Sequence, residues 1–129
     1  MAKLDNLTSA TTRHIRDFIG KCENCGTKKS LHVHHIDEDR KNNVQSNLIV
    51  LCGECHKNQA HAGIINKTEQ KKLVGNRSKE QKKAVRGILN AAYKRQKGKT
   101  SEQEYKKEVK SIFDDLGSGS FDPRKSSWF

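Results

Sequence analysis

Apolar residues first recur at helical spacing, then alternate, then return to helical spacing over the second half of the chain. Leu7, Thr11, Ile15, Phe18 and Ile19 fall near one face of a helix over 9–19, which Thr8 or Ser9 can cap and Gly20 ends. The segment from Leu31 to Ile36 alternates and is β-branched enough for a strand, and Asn47 to Leu51 gives a second, apolar strand. Between them lies a polar loop, Asp37 to Ser46, rich in Asp, Arg and Asn. Long loops inside small cores are more often functional than idle. A helix follows from Glu54 to about Ala62, with Gly63 as the residue after its C-cap.

Beyond Gly63 the pattern is helical. Ser78 and Gln81 form a capping box, after which Val85, Ile88, Leu89 and Ala92 make an apolar stripe opposite Lys82, Lys83, Arg86, Lys94 and Arg95. Gly87 weakens this helix slightly. Thr100 with Gln103 reads as a second box, followed by Tyr105, Val109, Ile112, Phe113 and Leu116 at helical spacing, so two amphipathic helices form a hairpin joined at Gly98. The run Gly117-Ser118-Gly119-Ser120 and the residues up to Trp128 and Phe129 read as a flexible tail.

Composition sharpens this picture. Of 129 residues only 32% are hydrophobic, so the core is thin and a structural metal is one way to supplement it. The formal charge of +11 is the footprint of a polyanion partner. It is unevenly spread: residues 1–63 hold nine basic and seven acidic side chains, residues 64–129 seventeen and eight. Chemistry is thus expected in the first part and grip in the second. No run approaches the roughly 18 to 20 apolar residues that cross a bilayer, and Asp5, His14, Arg16 and Asp17 interrupt the stretch a signal peptide would need. The expectation is an intracellular, cytoplasmic protein with no membrane partner.

Four cysteines in such a chain favour metal over disulfides, because the cytosol keeps thiols reduced. Cys22, Cys25, Cys52 and Cys55 make C-x2-C, a spacer of 26 residues, and C-x2-C. That is the two-knuckle pattern of a tetrahedral zinc site, and four thiolates close the shell of the ion, so this Zn²⁺ is structural. Gly26 allows a tight turn in which backbone amides face a metal-bound sulfur. The rival readings are four buried free thiols or two redox dithiols.

Histidines and an asparagine are interleaved with these knuckles. The string Leu31-His32-Val33-His34-His35-Ile36-Asp37, then Asn47-Leu48-Ile49-Val50-Leu51-Cys52, then Cys55-His56, resembles the HNH endonuclease family in its four-cysteine form. The resemblance implies a small ββα-metal core, and with the cysteine zinc site, the N-terminal helix and the α-helical extension read above, the expected fold class is α+β. It assigns His34 and His56 to a catalytic divalent cation, His35 to the general base, and Asn47 to holding the hairpin loop and so orienting His35. Relatives often carry another histidine four residues after His56, where this chain has Ala60; His61 stands one residue later, an accessory candidate together with His32. Mg²⁺ is the ion expected at this second site, with Mn²⁺, Ni²⁺ or Zn²⁺ compatible with imidazole ligands. Cleavage in the family leaves a 5′-phosphate and a 3′-hydroxyl.

Elementary geometry points the same way. Neighbouring side chains on a strand point to opposite faces, so one of His34 and His35 can ligate while the other works on a proton. Asp37, Glu38 and Asp39 read as an exposed acidic turn rather than a second metal site. The domain expectation is a nuclease core with its helix at 1–63, a basic helical extension at 64–116 and a tail at 117–129. Nucleic-acid contact is expected from Arg40, Lys57, Lys82, Lys83, Arg86, Lys94 and Arg95. The partner is DNA and the origin phage or mobile element by analogy. Two rivals stand beside this reading: a non-catalytic zinc-knuckle module that binds nucleic acid or protein, and an RNase or toxin of the same fold. His14 reads as an ordinary helix residue.

Overall fold

The computed structural model of the chain describes residues 7–60 and 65–116. Helix α1 spans Ser9–Ile19; Thr8 caps it by accepting from the Thr11 amide, and Gly20, at a φ of 73°, ends it in the left-handed conformation that glycine tolerates. Strands β1 (Leu31–His35) and β2 (Leu48–Cys52) pair antiparallel, with Leu31 opposite Cys52 and His35 opposite Leu48. Every residue of β2 is buried.

Both faces of β2 are covered, which explains why its sequence is apolar throughout instead of alternating. Leu48 and Val50 join Ile15, Phe18 and Ile19 of α1 in one cluster, and Ile49 and Leu51 join Ile36, Ile65, Val74 and three of the cysteines in the other. The first cluster is completed by two long helices, α3 (Lys79–Gln96) and α4 (Glu102–Leu116), through Val85, Ile88, Tyr105, Val109 and Phe113. A single hydrophobic cluster therefore draws on residues from both sides of position 64. At about 1.5–3 kcal/mol per large apolar side chain, burial in this cluster is what anchors the helices to the hairpin.

A further helix, α2 (Lys67–Gly75), was not expected from periodicity. Only Gln70 and Val74 of α2 are buried, a two-residue stripe too short to declare itself, and the helix is started by the Asn66 side chain accepting from the Glu69 amide. The capping box at Ser78 and Gln81 is present in both directions. At α4 the expected cap is corrected by one residue: the Ser101 hydroxyl, not Thr100, accepts from an amide three residues on, that of Glu104. Gly87 has a packing reason, since a Cβ there would approach Ile112 Cδ1 of α4 to 2.8 Å. The helix expected over 54–62 is a π-helical segment over Cys55–Ala60, a wider coil than the α-helix. His61, Ala62, Gly63 and the tail at 117–129 lie outside the described residues.

Candidate metal centre and histidine cleft

The two C-x2-C turns meet. The sulfurs of Cys22, Cys25, Cys52 and Cys55 all lie within 4.8 Å of one another, and Cys25 Sγ is 3.7 Å from Cys52 Sγ. Four sulfurs about 2.3 Å from a tetrahedral zinc are about 3.8 Å apart, so the cluster has the dimensions of a zinc cage and is far too open for a disulfide. The amide of Cys25 donates to Cys22 Sγ and that of Cys55 to Cys52 Sγ, each at 3.4 Å, while Asn24 Nδ2 donates to Cys55 Sγ. Gly26, at a φ of 82°, makes the first of these turns. Burial pushes the Cys55 thiol up to about 12 against the Asn24 donor; at Cys22 burial is outweighed by backbone N–H donors and the thiol falls to about 7. Four thiols this close need a cation before all can ionise.

On β1 the histidines divide. His34 is buried, His35 half-buried and His32 exposed. The His56 ring, carried just after the last cysteine, lies 4.9 Å from the His34 ring and stacks at 5.6 Å on that of His32. His34, His35 and His56 line one cleft of about 550 Å³ together with Val33, Glu38 and Arg40. His35 Nε2 is 2.6 Å from Asn43 Oδ1. Because Asn43 Nδ2 donates to the Arg40 carbonyl, its oxygen faces the imidazole, and Nε2 must carry the proton in that bond. Nδ1 of His35 is then the nitrogen left to accept one.

The loop that carries Asn43 is tied at both ends. Asn47, itself buried, donates from Nδ2 to Asp37 Oδ1 and to the Asn42 carbonyl, both at 2.9 Å, and accepts from the Asp37 amide. Asn42 Nδ2 also donates to Asp37, and this hydrogen bond above all holds the Asp37 carboxyl at about 2, well below its ordinary value. Asp37 and Asp39 thus serve as acceptors within the turn, taking the amides of Asp39 and Lys41. From the other side comes Arg77, only 6% exposed: it donates to the Gln45 side chain and carbonyl, to the Leu48 carbonyl, and to both oxygens of Glu23. Glu23 in turn accepts the Val50 amide.

Neither Asn43 nor Arg77 was singled out by the sequence. Asn43 could have been noticed only as one of several polar residues in a long loop, and the partners of Arg77 lie 29 to 54 positions away. The basic residues expected to touch nucleic acid are dispersed. Arg40 lines the histidine cleft and Lys57 is exposed one residue after His56. Lys82 and Arg86 line a groove beside the Gln45–Ser46 turn, while Lys83 is exposed elsewhere on α3. Lys94 and Arg95 instead pair with Glu108 at 3.0 Å and Glu102 at 3.7 Å, and Arg95 also lies over the Tyr105 ring. His14, read from the sequence as an ordinary helix residue, is buried in α1, with Nδ1 2.7 Å from the Tyr105 hydroxyl.

Residues 22–61 match the family model described as HNH endonuclease, a metal-dependent nuclease family acting on nucleic acid. The matched stretch contains the four cysteines, both strands, His34, His35, Asn47 and His56. No curated protein and no solved structure gives a significant match to the chain. No helix among the described residues is long and apolar enough to cross a membrane.

Proposed function

We propose that this protein is an endonuclease that hydrolyses DNA phosphodiester bonds at the histidine cleft. The observation that carries the reading is the convergence of His34, His35 and His56 on one cleft, with His35 held through Nε2 by Asn43 so that Nδ1 is available. His34 and His56 would hold a divalent cation, Mg²⁺ in the cell. Such an ion supplies stabilisation of charge on the phosphate and leaving oxygens.

The chain's own residues do the rest. His35 Nδ1 takes a proton from the water that attacks phosphorus, and imidazole suits this because it exchanges protons near neutral pH. Asn43 fixes the tautomer, and Asn47 fixes the loop that carries Asn43. Arg40, in the same cleft, offers a guanidinium to a phosphate oxygen. The P–O3′ bond breaks as the water oxygen bonds to phosphorus, the P–O5′ bond stays intact and the leaving 3′-oxygen takes up a proton from solvent, so the products carry a 5′-phosphate and a 3′-hydroxyl. The cysteine cluster supplies a rigid base, since its last member immediately precedes His56. A zinc module that only binds would need neither the His35–Asn43 pair nor the His34–His56 pair.

Metal titration of three variants tests the assignments. His35→Ala should retain metal affinity yet cut roughly 10²- to 10⁴-fold more slowly, and excess Mg²⁺ or Mn²⁺ should not restore it. His56→Ala should bind the ion more weakly and recover in part at high metal. Asn43→Ala should resemble a milder His35→Ala. Identical metal dependence in the His35→Ala and His56→Ala variants would refute the division of roles.

A further inference from the structure

We infer that a second site, a basic groove between the hairpin loop and helices α2 and α3, binds the sugar–phosphate backbone of double-stranded DNA. The inference deepens the nuclease reading and rests on it for the identity of the polymer. Two adjoining hollows of about 370 and 380 Å³ share Gln45, Ser46 and Arg86, and together they are this groove. Lys71 of α2 and Lys82 and Arg86 of α3 line it, and among the described residues no carboxylate does.

These cations differ from their neighbours further along α3. Lys94 and Arg95 are matched with Glu108 and Glu102, and Lys106 also reaches Glu102. Lys71, Lys82 and Arg86 have no carboxylate partner among the described residues. Three uncompensated cations around a groove repel one another, and a chain of phosphates relieves that repulsion while releasing its own counterions. Arg86 can take a phosphate with two parallel N–H donors, and Ser46 and Asn90 offer neutral donors beside it.

Position favours the same ligand. Asn43 lines the groove and also holds His35, so a single side chain links the groove to a residue of the histidine cleft. Gln45, which lines both hollows, is held firmly, because buried Arg77 donates to its side chain and its carbonyl. Among the described residues no aromatic ring lines the groove, and sites for single strands rely on aromatic stacking platforms, so the groove fits a duplex better than a single strand.

The test uses the full chain carrying His35→Ala, so that DNA stays uncut, and measures its affinity for a fluorescent duplex across a salt series. In that background Lys71→Gln/Lys82→Gln/Arg86→Gln removes the groove cations, and Lys99→Gln/Lys107→Gln/Lys110→Gln removes three exposed cations elsewhere with the same change of net charge. The groove variant should bind roughly 10²- to 10³-fold more weakly near 0.1 M salt, with the slope of log affinity against log salt smaller by about 2 to 3. The control should stay within about threefold, and Lys71→Arg/Lys82→Arg should bind as the parent does, which separates charge from folding. Equal losses in both triple variants, an unchanged slope in the groove variant, or groove-dependent binding of an RNA duplex but not of DNA would each overturn the proposal. Plasmid cleavage by the unsubstituted protein reports on the nuclease reading separately: cutting with a groove variant of normal affinity removes only the groove, and groove-dependent binding without cutting removes only the nuclease.

Discussion

Replacing Arg77 by Met tests whether the helical part of the chain holds the loop that positions His35. The guanidinium makes two hydrogen bonds to Gln45, one to the Leu48 carbonyl and a bidentate pair with Glu23, whose side chain is 7% exposed. Met fills similar space but strands the Glu23 carboxylate and two carbonyls in the interior. Breaking a buried pair by removing one partner typically costs about 3–5 kcal/mol, a large part of the roughly 5–15 kcal/mol that holds a domain folded. Urea unfolding followed by circular dichroism, at fixed zinc, should show that loss in the single variant. Glu23→Gln/Arg77→Met removes the stranded charge, and the Gln side-chain oxygen can still accept the Val50 amide that Glu23 now accepts. The double variant should therefore regain about 1–3 kcal/mol of the loss. An Arg77→Met protein within about 1 kcal/mol of the parent, or a double variant less stable than the single one, would refute the reasoning.

Other outcomes follow from the same geometry. Purified protein should carry about one tightly held zinc by elemental analysis, and Cys52→Ser should lose it and unfold, because binding energy at such sites is folding energy; a folded, reduced, zinc-free protein contradicts this. His14 is held near a pKa of about 4, first by burial and then by Arg13, Lys106 and Arg95. An unfolded histidine titrates near 6.5, so between these values the unfolded chain takes a proton that the fold refuses; stability from neutral His14 is complete above pH 6.5 and falls by up to about 3 kcal/mol towards pH 4. The stability difference between parent and His14→Gln should shrink over that window, and a pH-independent difference would show that His14 does not titrate with unfolding. Asn47→Ala should slow cleavage by misplacing the loop without weakening metal affinity, which isothermal titration with Mn²⁺ can check; weakened affinity would make Asn47 part of the metal site instead.

Much of this was legible along the chain because it is local. The helix over 9–19 declares itself by period and caps, the strands by composition, and the cysteine cluster by two short spacings on turns. What was not legible depends on distant residues meeting. Helix α2 buries too little to show a period, the Arg77 network joins segments 29 to 54 positions apart, and His14 meets Tyr105 across 91. Asn43 was hidden for a different reason: its role depends on how a polar loop closes, and the Asn47 side chain closes that loop through Asp37 and Asn42. Charge was legible in amount but not in disposition. The basic stripe on α3 divides into Lys94 and Arg95, matched with carboxylates, and Lys82 and Arg86, which face a groove.

The central claim is that His35, poised by Asn43, activates water for phosphodiester hydrolysis. Its most direct test is the rate at which supercoiled plasmid is nicked at neutral pH in Mg²⁺, comparing the parent protein with a zinc-loaded His35→Ala variant of unchanged circular dichroism. The account predicts cleavage by the parent that EDTA abolishes and a rate roughly 10²- to 10⁴-fold lower in the variant. Cleavage by His35→Ala at the parent rate, or none by the parent with any of Mg²⁺, Mn²⁺ or Ni²⁺, would contradict it.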